Sequence, residues 1–359
     1  MAGLPDVASS SKARLVYPFD GPPERGCTLE VAPGVRWIRM PLPYALNHIN
    51  LWAIDDGTGW ALVDTGVRTE DNTAVWRELF ANHADDTRPL SRVIVTHMHP
   101  DHVGMAGWLT RKFGVRLWMT RLEYLNCRAM VSDTGREAPP DATEFYRRAG
   151  WSAEAIESYR ARFGNFGKHI HTLPDSYRRL HDREEIVMGA HRWRVIVGSG
   201  HSPEHACLHC AELGVLISGD QVLPRISSNV SVYPTEPDAN PMQQWLESLD
   251  LLKREVPADT LVLPSHNEPF RGLHDRLDAL AAGQQRALDR LRRSLAEKPR
   301  RSIDVFGALF ARSVGEDNVP LLGMATGEAI ACLNYLLERG EVLREADGQG
   351  VDWYRASGA

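Results

Sequence analysis

The chain has 359 residues, longer than one typical domain, so we expect a large domain with a smaller appendage. Its hydrophobic fraction of 43% and charged fraction of 25% are those of an ordinary globular protein and exclude a disordered or membrane-embedded class. The formal net charge of −6 disfavours a nucleic-acid-binding class, although a local basic patch remains compatible with it.

The first 27 residues contain Pro, Gly and Ser without periodicity, and we predict a loose N-terminal arm at 1–27. They lack the continuous apolar stretch of a secretory signal, and no apolar run approaches the length of a membrane span. The five cysteines are scattered and odd in number, unlike a disulfide framework. We therefore expect a cytoplasmic protein with reduced thiols and no membrane partner.

Short segments of β-strand type begin near Thr28. The predicted strands are VRWIRMPL, INLWAID, WALVDTG and RVIVTH, with the turn DDGTGW between the second and third. TEDNTAVWRELFANH has helical spacing, and VGMAGWLTRKFG predicts a second helix that ends at Gly114. VRLWMT predicts another strand, so this half of the chain is of α/β class.

The stretch 121–168 changes character, because aromatic residues at helical spacing replace the strand pattern. We interpret it as a helical insertion, and its aromatic residues either form a lid over a site or the core of a small subdomain. Strands resume with EEIVMG, HRWRVIVGSGH, ACLHC and VLISGD. A long polar loop, the amphipathic helix MQQWLESLDLLKRE and the strand LVLPSH follow.

Beyond about Glu268 the strand signals largely stop. Three helical segments follow one another, and EVLREADGQGVDWYR predicts a hairpin that turns at DGQG. Three helices and a hairpin are typical of a winged-helix-like module. We therefore predict a catalytic domain at 28–270 and a smaller, mainly helical domain at 271–359.

A dense group of metal-ligand side chains follows the apolar strand RVIV. It has the pattern H-x-H-x-D-H, and similar side chains follow three later strands, in VGSGHSPEH, VLISGDQ and LVLPSH. Imidazoles and carboxylates are preferred ligands of first-row metals, and strand ends can bring them to one edge of a sheet. Any one of them alone would more often be a cap or a surface group, but the combination predicts a metal site. The candidate ligands are His97, His99, Asp101, His102, His201, Asp220 and His266.

The motifs LVDTG, THMHPDHVG, GHSPEH, SGDQ and PSH resemble those of the metallo-β-lactamase superfamily over about residues 30–270. The resemblance implies an αββα sandwich that binds two metal ions. It assigns His97, His99 and His201 to one ion. It assigns Asp101, His102 and His266 to the other, with Asp220 as the bridge.

The same resemblance implies hydrolysis by a hydroxide that bridges two divalent ions. Asp101 would orient that hydroxide or relay its proton, and Asp64 would support the ligands from behind; the alternative for Asp64 is a turn cap before Gly66. We expect zinc, with iron or manganese as alternatives. The favoured substrate is a small ester-like molecule, with a thioester or lactone ahead of a β-lactam.

Two departures from the usual pattern stand near the ligands. The last motif reads Pro-Ser-His-Asn-Glu where many members have Gly-His-Gly, so the loop geometry there is in doubt. Glu204 stands where Gly is frequent, and we favour a solvent-facing role for it over a contact with His201. In the long loop, Ser227 and its neighbours could meet a substrate oxyanion; the candidates are Arg225, Ser227, Ser228 and Asn229.

Two alternatives to this function remain open: a metal-dependent phosphodiesterase or endoribonuclease, and a non-catalytic binding protein. The basic run from Arg286 to Arg301 favours the first, because lactamase-like endoribonucleases have a similar C-terminal domain, but such a run is more often the solvated face of a helix. Nucleic acid is therefore a less favoured partner than a small molecule, and a homodimer is compatible with the pattern. We expect Cys207 and Cys210 to be thiols in a strand rather than a redox or zinc motif.

Overall fold

A seven-stranded sheet is built mainly from the N-terminal half of the chain. The computed structural model describes residues 14–43, 46–82, 88–310 and 313–358. In spatial order the strands are β1 (Thr28–Ala32), β2 (Val35–Pro41), β3 (His48–Asp55), β4 (Trp60–Val63), β5 (Leu90–Ile94), β6 (Leu117–Met119) and β7 (Arg178–Arg179). The first four strands are antiparallel, and β4 to β7 are parallel. The predicted strands are confirmed, whereas the two-residue β7 had no sequence signal.

A second sheet of five strands follows. Its strands are β8 (Glu185–Met188), β9 (His191–Gly198), β10 (His205–Cys210), β11 (Val215–Gly219) and β12 (Leu261–Pro264), in the spatial order β12-β11-β10-β9-β8. Strand β10 is antiparallel to β9 and β11, and β11 is parallel to β12. The carboxyl ends of β9, β11 and β12 therefore lie at one edge of the sheet.

Helices cover the outer faces of both sheets. They are α1 (Glu70–Asn82), α2 (Pro100–Val103), α3 (Ala106–Phe113), α4 (Arg121–Ser132), α5 (Pro140–Ala149), α6 (Ala153–Arg162), α7 (Pro241–Glu255), α8 (Leu273–Glu297), α9 (Phe306–Leu309) and α10 (Val319–Glu338). A hairpin of β13 (Val342–Ala346) and β14 (Asp352–Ala356) follows α10. The predicted helices and terminal hairpin are confirmed, and α3 ends at Gly114 in the left-handed conformation, with φ 64°.

Three apolar layers hold these elements together. The layer between the two sheets contains Trp37, Trp52 and Trp193, each fully buried. A second layer lies between the seven-stranded sheet and helices α1 and α3, and a third between the five-stranded sheet and helices α7, α8 and α10. Because side chains alternate along each strand, every central strand contributes to two layers. The arrangement is the predicted αββα sandwich.

The aromatic residues of the insertion pack mostly into the third layer. Phe145, Tyr146 and Trp151 are buried there, and the Trp151 indole donates a 2.9 Å hydrogen bond to Thr326 Oγ1 on α10. Of the two roles considered for these aromatic residues, the packing favours a core over a lid.

Residues 14–27 correct the expectation of a loose arm through residue 27. Val16 pairs with Arg271 through two backbone hydrogen bonds of 3.1 and 2.8 Å. Arg25 forms ion pairs with Asp71 and Glu78 of α1 at 2.6 and 2.9 Å. Long-range pairing of this kind leaves no periodic pattern in the sequence; residues 1–13 lie outside the described part of the chain.

Helix α10 is unusually apolar. It has 20 residues and a mean hydropathy of 1.2 over its most apolar window, so by length and composition it could cross a membrane, contrary to our expectation from the sequence. However, 67% of that window is buried within the protein, where its side chains pack in the third layer. The helix therefore matches the core helix of a globular domain in its packing.

Candidate metal centre

Each predicted ligand lies just beyond a strand of the sandwich. His97 and His99 follow β5, and the next residues form α2, whose first turn carries Asp101 and His102. His201, Asp220 and His266 follow β9, β11 and β12 at the edge where those strands end. Strand β5 ends at Ile94, so strand alternation does not orient His97 and His99; the loop before α2 does. The structure brings all seven predicted side chains together, and all seven are buried.

Three imidazoles form the first group of converging atoms. His97 Nε2 lies 2.8 Å from His99 Nδ1 and 3.3 Å from His201 Nε2. Burial, followed by the neighbouring imidazoles of His102 and His99, holds the pKa of His97 well below its usual range. Neutral imidazoles whose nitrogen lone pairs meet at one point are a suitable donor set for a first-row cation.

The second group combines imidazoles with carboxylates. His266 Nε2 lies 3.3 Å from Asp101 Oδ2 and 3.5 Å from Asp220 Oδ1. His102 Nε2 lies 3.5 Å from Asp220 Oδ2, which is also 3.5 Å from His201 Nε2 of the first group. Asp220 therefore lies between the two groups. Although burial lowers the pKa of His102, the carboxylates of Asp220 and Asp64 raise it well above its usual value in the absence of a cation.

Unpaired polar atoms test whether these residues fit a metal. Within the described residues, His102 Nε2, Asp220 Oδ1 and both ring nitrogens of His266 are buried without a hydrogen-bond partner. A buried polar atom without a partner costs about 1–3 kcal/mol, so several in one place require an explanation. Cations at the points where these atoms converge would give three of the four, His102 Nε2, Asp220 Oδ1 and His266 Nε2, a partner. The donor set therefore fits divalent metal ions.

Asp64 lies behind the cluster rather than in it. Its Oδ2 accepts a 2.8 Å hydrogen bond from His102 Nδ1, and its Oδ1 accepts one of 2.8 Å from the Thr96 amide. The first bond requires the proton on Nδ1 and leaves His102 Nε2 facing the cluster. Asp64 itself has a φ of 62°, a left-handed conformation that Asp tolerates better than most residues. This geometry fits the supporting role implied by the family pattern better than a turn cap.

In the motif around His266, Asn267 stands where the usual family pattern has the second Gly. Asn267 has a φ of 65°, the left-handed region in which Gly is the commonest residue and Asn the best substitute. The Asn50 side chain donates to the carbonyls of Pro264 and Asn267, at 2.9 and 2.6 Å, and so holds the loop on both sides of His266. His266 reaches the cluster despite the departure from Gly-His-Gly.

Three supporting side chains were not predicted from the sequence. Asn50 is the first, and its place within the apolar strand INLWAID was an available signal, since a buried polar group needs partners. Glu123 of α4 is the second; it is fully buried and accepts 2.9 Å hydrogen bonds from the amides of Met98 and Glu204. These bonds join two of the loops that carry ligands.

His205 is the third supporting side chain. Its Nε2 accepts a 3.0 Å hydrogen bond from the Asp220 amide, and burial lowers the pKa of His205 to about 3. The neutral ring of His205 therefore holds the backbone of Asp220 in place.

Glu204 has a role in addition to the one favoured from the sequence. Its carboxylate accepts a 2.8 Å hydrogen bond from the Leu122 amide in the first turn of α4, and its carbonyl accepts one from Thr120 Oγ1 at 2.7 Å. The side chain is partly exposed, as we expected, and its carboxylate also satisfies an amide at a helix N-terminus.

A cleft opens above the cluster. It is lined by His99, Asp101, His201, Asp220, Leu223, Ile226, Ser227, Ser228, Asn229, His266 and Met324. Three of the four loop residues considered for substrate contact are therefore in the lining. Arg225 is not among them, because its guanidinium pairs with Glu268 at 2.9 Å. The Ser228 hydroxyl donates to the Asp220 carbonyl, so of the two serines Ser227 is the one without this bond.

Cys207 and Cys210 are free thiols of β10, as predicted. Cys207 packs in the layer beneath α7 and Cys210 in the layer between the sheets, so their side chains lie on opposite faces. The pair forms neither a disulfide nor a chelating motif.

Comparisons with known proteins identify the family of this chain. The profile of the Metallo-beta-lactamase superfamily matches residues 45–298, and that of the Metallo-beta-lactamase-like C-terminal domain matches residues 288–357. The chain belongs to the metallo-β-lactamase superfamily, and it is a metallo-hydrolase.

Individual relatives match most of the length of this chain. The crystal structure of a beta-lactamase domain protein from Burkholderia ambifaria is 42% identical, with a TM-score of 0.87 over 96% of this chain and 99% of that one. The probable metallo-hydrolase YqjP of Bacillus subtilis (strain 168) is 24% identical over 76% of this chain and 84% of its own length. The atrochrysone carboxyl ACP thioesterase of Aspergillus fumigatus is 22% identical over 71% of this chain, which spans 46% of that longer protein.

Proposed function

We propose that this metallo-hydrolase holds two divalent cations and cleaves a small ester-like substrate, with a thioester or lactone favoured. The position of Asp220 carries the proposal, because its Oδ2 lies 3.5 Å from a nitrogen of each of the two donor groups. One group would consist of His97, His99 and His201, and the other of Asp101, His102 and His266. Zinc suits this mixture of imidazole and carboxylate, as iron and manganese also do.

When bound, such cations would lower the pKa of a water molecule and polarise the bond to be cleaved. The chain supplies the remaining functions. Asp101 lines the cleft and is the carboxylate that we propose to orient the attacking water and take its proton. Asp64, Asn50 and His205 hold ligand side chains or loops in place through the hydrogen bonds described above.

The cleft lining favours a compact acyl substrate. Leu223, Ile226 and Met324 give it apolar walls, and Ser227 offers a hydroxyl. Most small-molecule sites combine apolar walls with a few polar anchors. The thioesterase named above supports a thioester, as a distant relative only.

The basic run from Arg286 to Arg301 lends little support to a nuclease. Arg292 pairs with Glu341 and Asp289 at 2.6 and 2.8 Å, and Arg301 pairs with Asp304 at 2.8 Å. Arg290 donates to the Ala308 carbonyl at 2.7 Å. Cations already paired within the protein are less available to a phosphate chain.

Metal analysis and a substrate panel test the proposal together. We expect about two zinc ions per chain, and hydrolysis of acyl thioesters or lactones but not of RNA. His266→Ala should lose one ion and the activity. The matched control is His209→Ala, which removes another buried imidazole outside the cluster and should retain both. A wild-type protein without bound metal, or one that cleaves only phosphodiesters, would contradict the proposal.

A further inference from the structure

The loop between β11 and α7 lies between the metal cluster and helix α10. Its residues 227–229 line the cleft, and Met324 of α10 lines the same cleft. The C-terminal helix therefore takes part in the site, although the ligands all come from elsewhere in the chain.

One residue of this loop contacts a ligand through its backbone. The Asn229 carbonyl lies 2.8 Å from His201 Nδ1. A carbonyl can only accept, so the proton is on Nδ1 and Nε2 is left as the atom that faces His97. The bond fixes both the tautomer and the rotation of the His201 ring.

The side chain of the same residue is held from α10. Asn229 Nδ2 donates a 2.7 Å hydrogen bond to Glu328 Oε2, and Asn229 Oδ1 accepts one of 2.5 Å from the Ser231 hydroxyl. Glu328 is only 9% exposed, and a carboxyl buried in a helix of the core is costly unless it has a partner. The hydrogen bond that its carboxyl accepts comes from the residue that orients His201.

The backbones also meet closely at this point. The Val232 amide donates a 3.0 Å hydrogen bond to the Gly327 carbonyl. A Cβ on Gly327 would lie 2.8 Å from both Ser231 Cβ and the Val232 carbonyl oxygen. The loop and the helix thus have one fixed register, which places Glu328 opposite Asn229.

We propose that Glu328 of the C-terminal helix is a positioning residue for the metal site, which acts through Asn229 to hold the His201 ring. This inference rests on the proposal that His201 is a metal ligand. It links the C-terminal domain to the affinity of the site for its cation, beyond any part that the helix plays in folding.

Zinc affinity tests the inference without a substrate. We expect the Glu328→Ala protein to bind zinc about tenfold more weakly than the wild type, as measured by competition with a chromophoric chelator. This is the lower end of the range for residues that hydrogen-bond to metal ligands. Glu328→Gln should recover most of that loss, because its amide oxygen can still accept from Asn229. In the cobalt-substituted protein, the d–d absorption bands should shift for Ala and return towards the wild-type position for Gln.

Asn334→Ala is the matched control. Asn334 is also a buried polar residue of α10, and it donates to the carbonyls of Pro237 and Ala239 at 3.0 and 2.9 Å, at the far end of the same loop. This variant should lose stability but keep the zinc affinity and the cobalt spectrum. Equal losses in Asn334→Ala and Glu328→Ala would overturn the inference.

Asn229→Ala carries the test if Glu328→Ala does not fold. It keeps the backbone carbonyl but removes the amide that Glu328 holds, so we expect a similar loss of zinc affinity. Unchanged affinity in the folded variants overturns this inference alone. A wild-type protein that binds no zinc overturns the proposed function, and the inference with it.

Discussion

Single side chains of this protein stabilise conformations that the backbone would not adopt alone. Asp64 has a positive φ, yet its carboxylate binds the Thr96 amide and His102 Nδ1 in a fully buried position. A non-glycine residue in this region costs about 1 kcal/mol or more and persists where the surroundings determine it. The conformation is therefore part of how the second donor group is built.

Glu328 gives the stability of the protein a predictable pH dependence. Burial raises its pKa from 4.5 to about 7, and the hydrogen bond from Asn229 offsets this only in part. A group with a raised folded-state pKa contributes stability in full below pH 4.5, and this contribution is lost as the pH rises to about 7. The difference corresponds to about 3 kcal/mol.

We therefore expect Glu328→Gln to remove this contribution to the pH dependence. The free energy of unfolding of the metal-free protein, measured in urea between pH 4.5 and 8, should fall more steeply for the wild type than for the variant. Parallel curves would show that Glu328 titrates normally in the folded protein.

At the scale of elements, the short helix α2 carries two ligands and depends on a close backbone approach. Gly104 ends this helix, and a Cβ there would lie 2.6 Å from the Arg68 amide nitrogen and 2.7 Å from the Gly66 carbonyl oxygen. These are backbone atoms, so the clash can be relieved only by a shift of the backbone of α2 or of the segment 66–68.

We expect Gly104→Ala to destabilise the protein by about 1–3 kcal/mol, as overpacking usually does, and to lower the zinc content by moving Asp101 and His102. Gly307→Ala is the control, because that glycine lies in a short helix and has no atom within 4 Å of its would-be Cβ. Chemical denaturation and metal analysis measure both effects. A Gly104→Ala protein with full stability and metal content would contradict the expectation.

The sequence predicts elements and ligands well, because both leave local patterns. Strand ends followed by His or Asp identified all seven clustered side chains, and Gly114 marked the end of a helix. The contacts of Glu123 and Asn229 could not be predicted, since they depend on which distant loops approach each other. The pairing of Val16 with Arg271 could not be predicted for the same reason.

At the scale of the whole molecule, the third apolar layer joins the C-terminal helices to the sandwich. Ile196 and Leu216 of the five-stranded sheet belong to one buried cluster with Leu288 of α8 and Leu333 of α10. A shared core of this size links the folding of the parts that contribute to it.

Hydrogen exchange in increasing denaturant should therefore show one cooperative unit. The slowest amides of α10 and β11 should have the same free energy of opening. The reason is that unfolding of α10 exposes the apolar face of the five-stranded sheet. Strand β13, in which four of the five residues are exposed, provides an internal comparison for local opening. Opening of α10 at clearly lower denaturant than β11 would contradict a shared unit.

Met324 lies in the wall of the cleft but far along the chain from the metal ligands. The cluster that supports hydrolysis is encoded at the ends of strands and in α2, whereas one wall of the cleft is encoded much later, in α10. A point mutation at Met324 can therefore alter which molecules enter while every ligand residue stays in place. Substrate range can thus diversify among descendants of such a gene without any change in the motifs that carry the ligands.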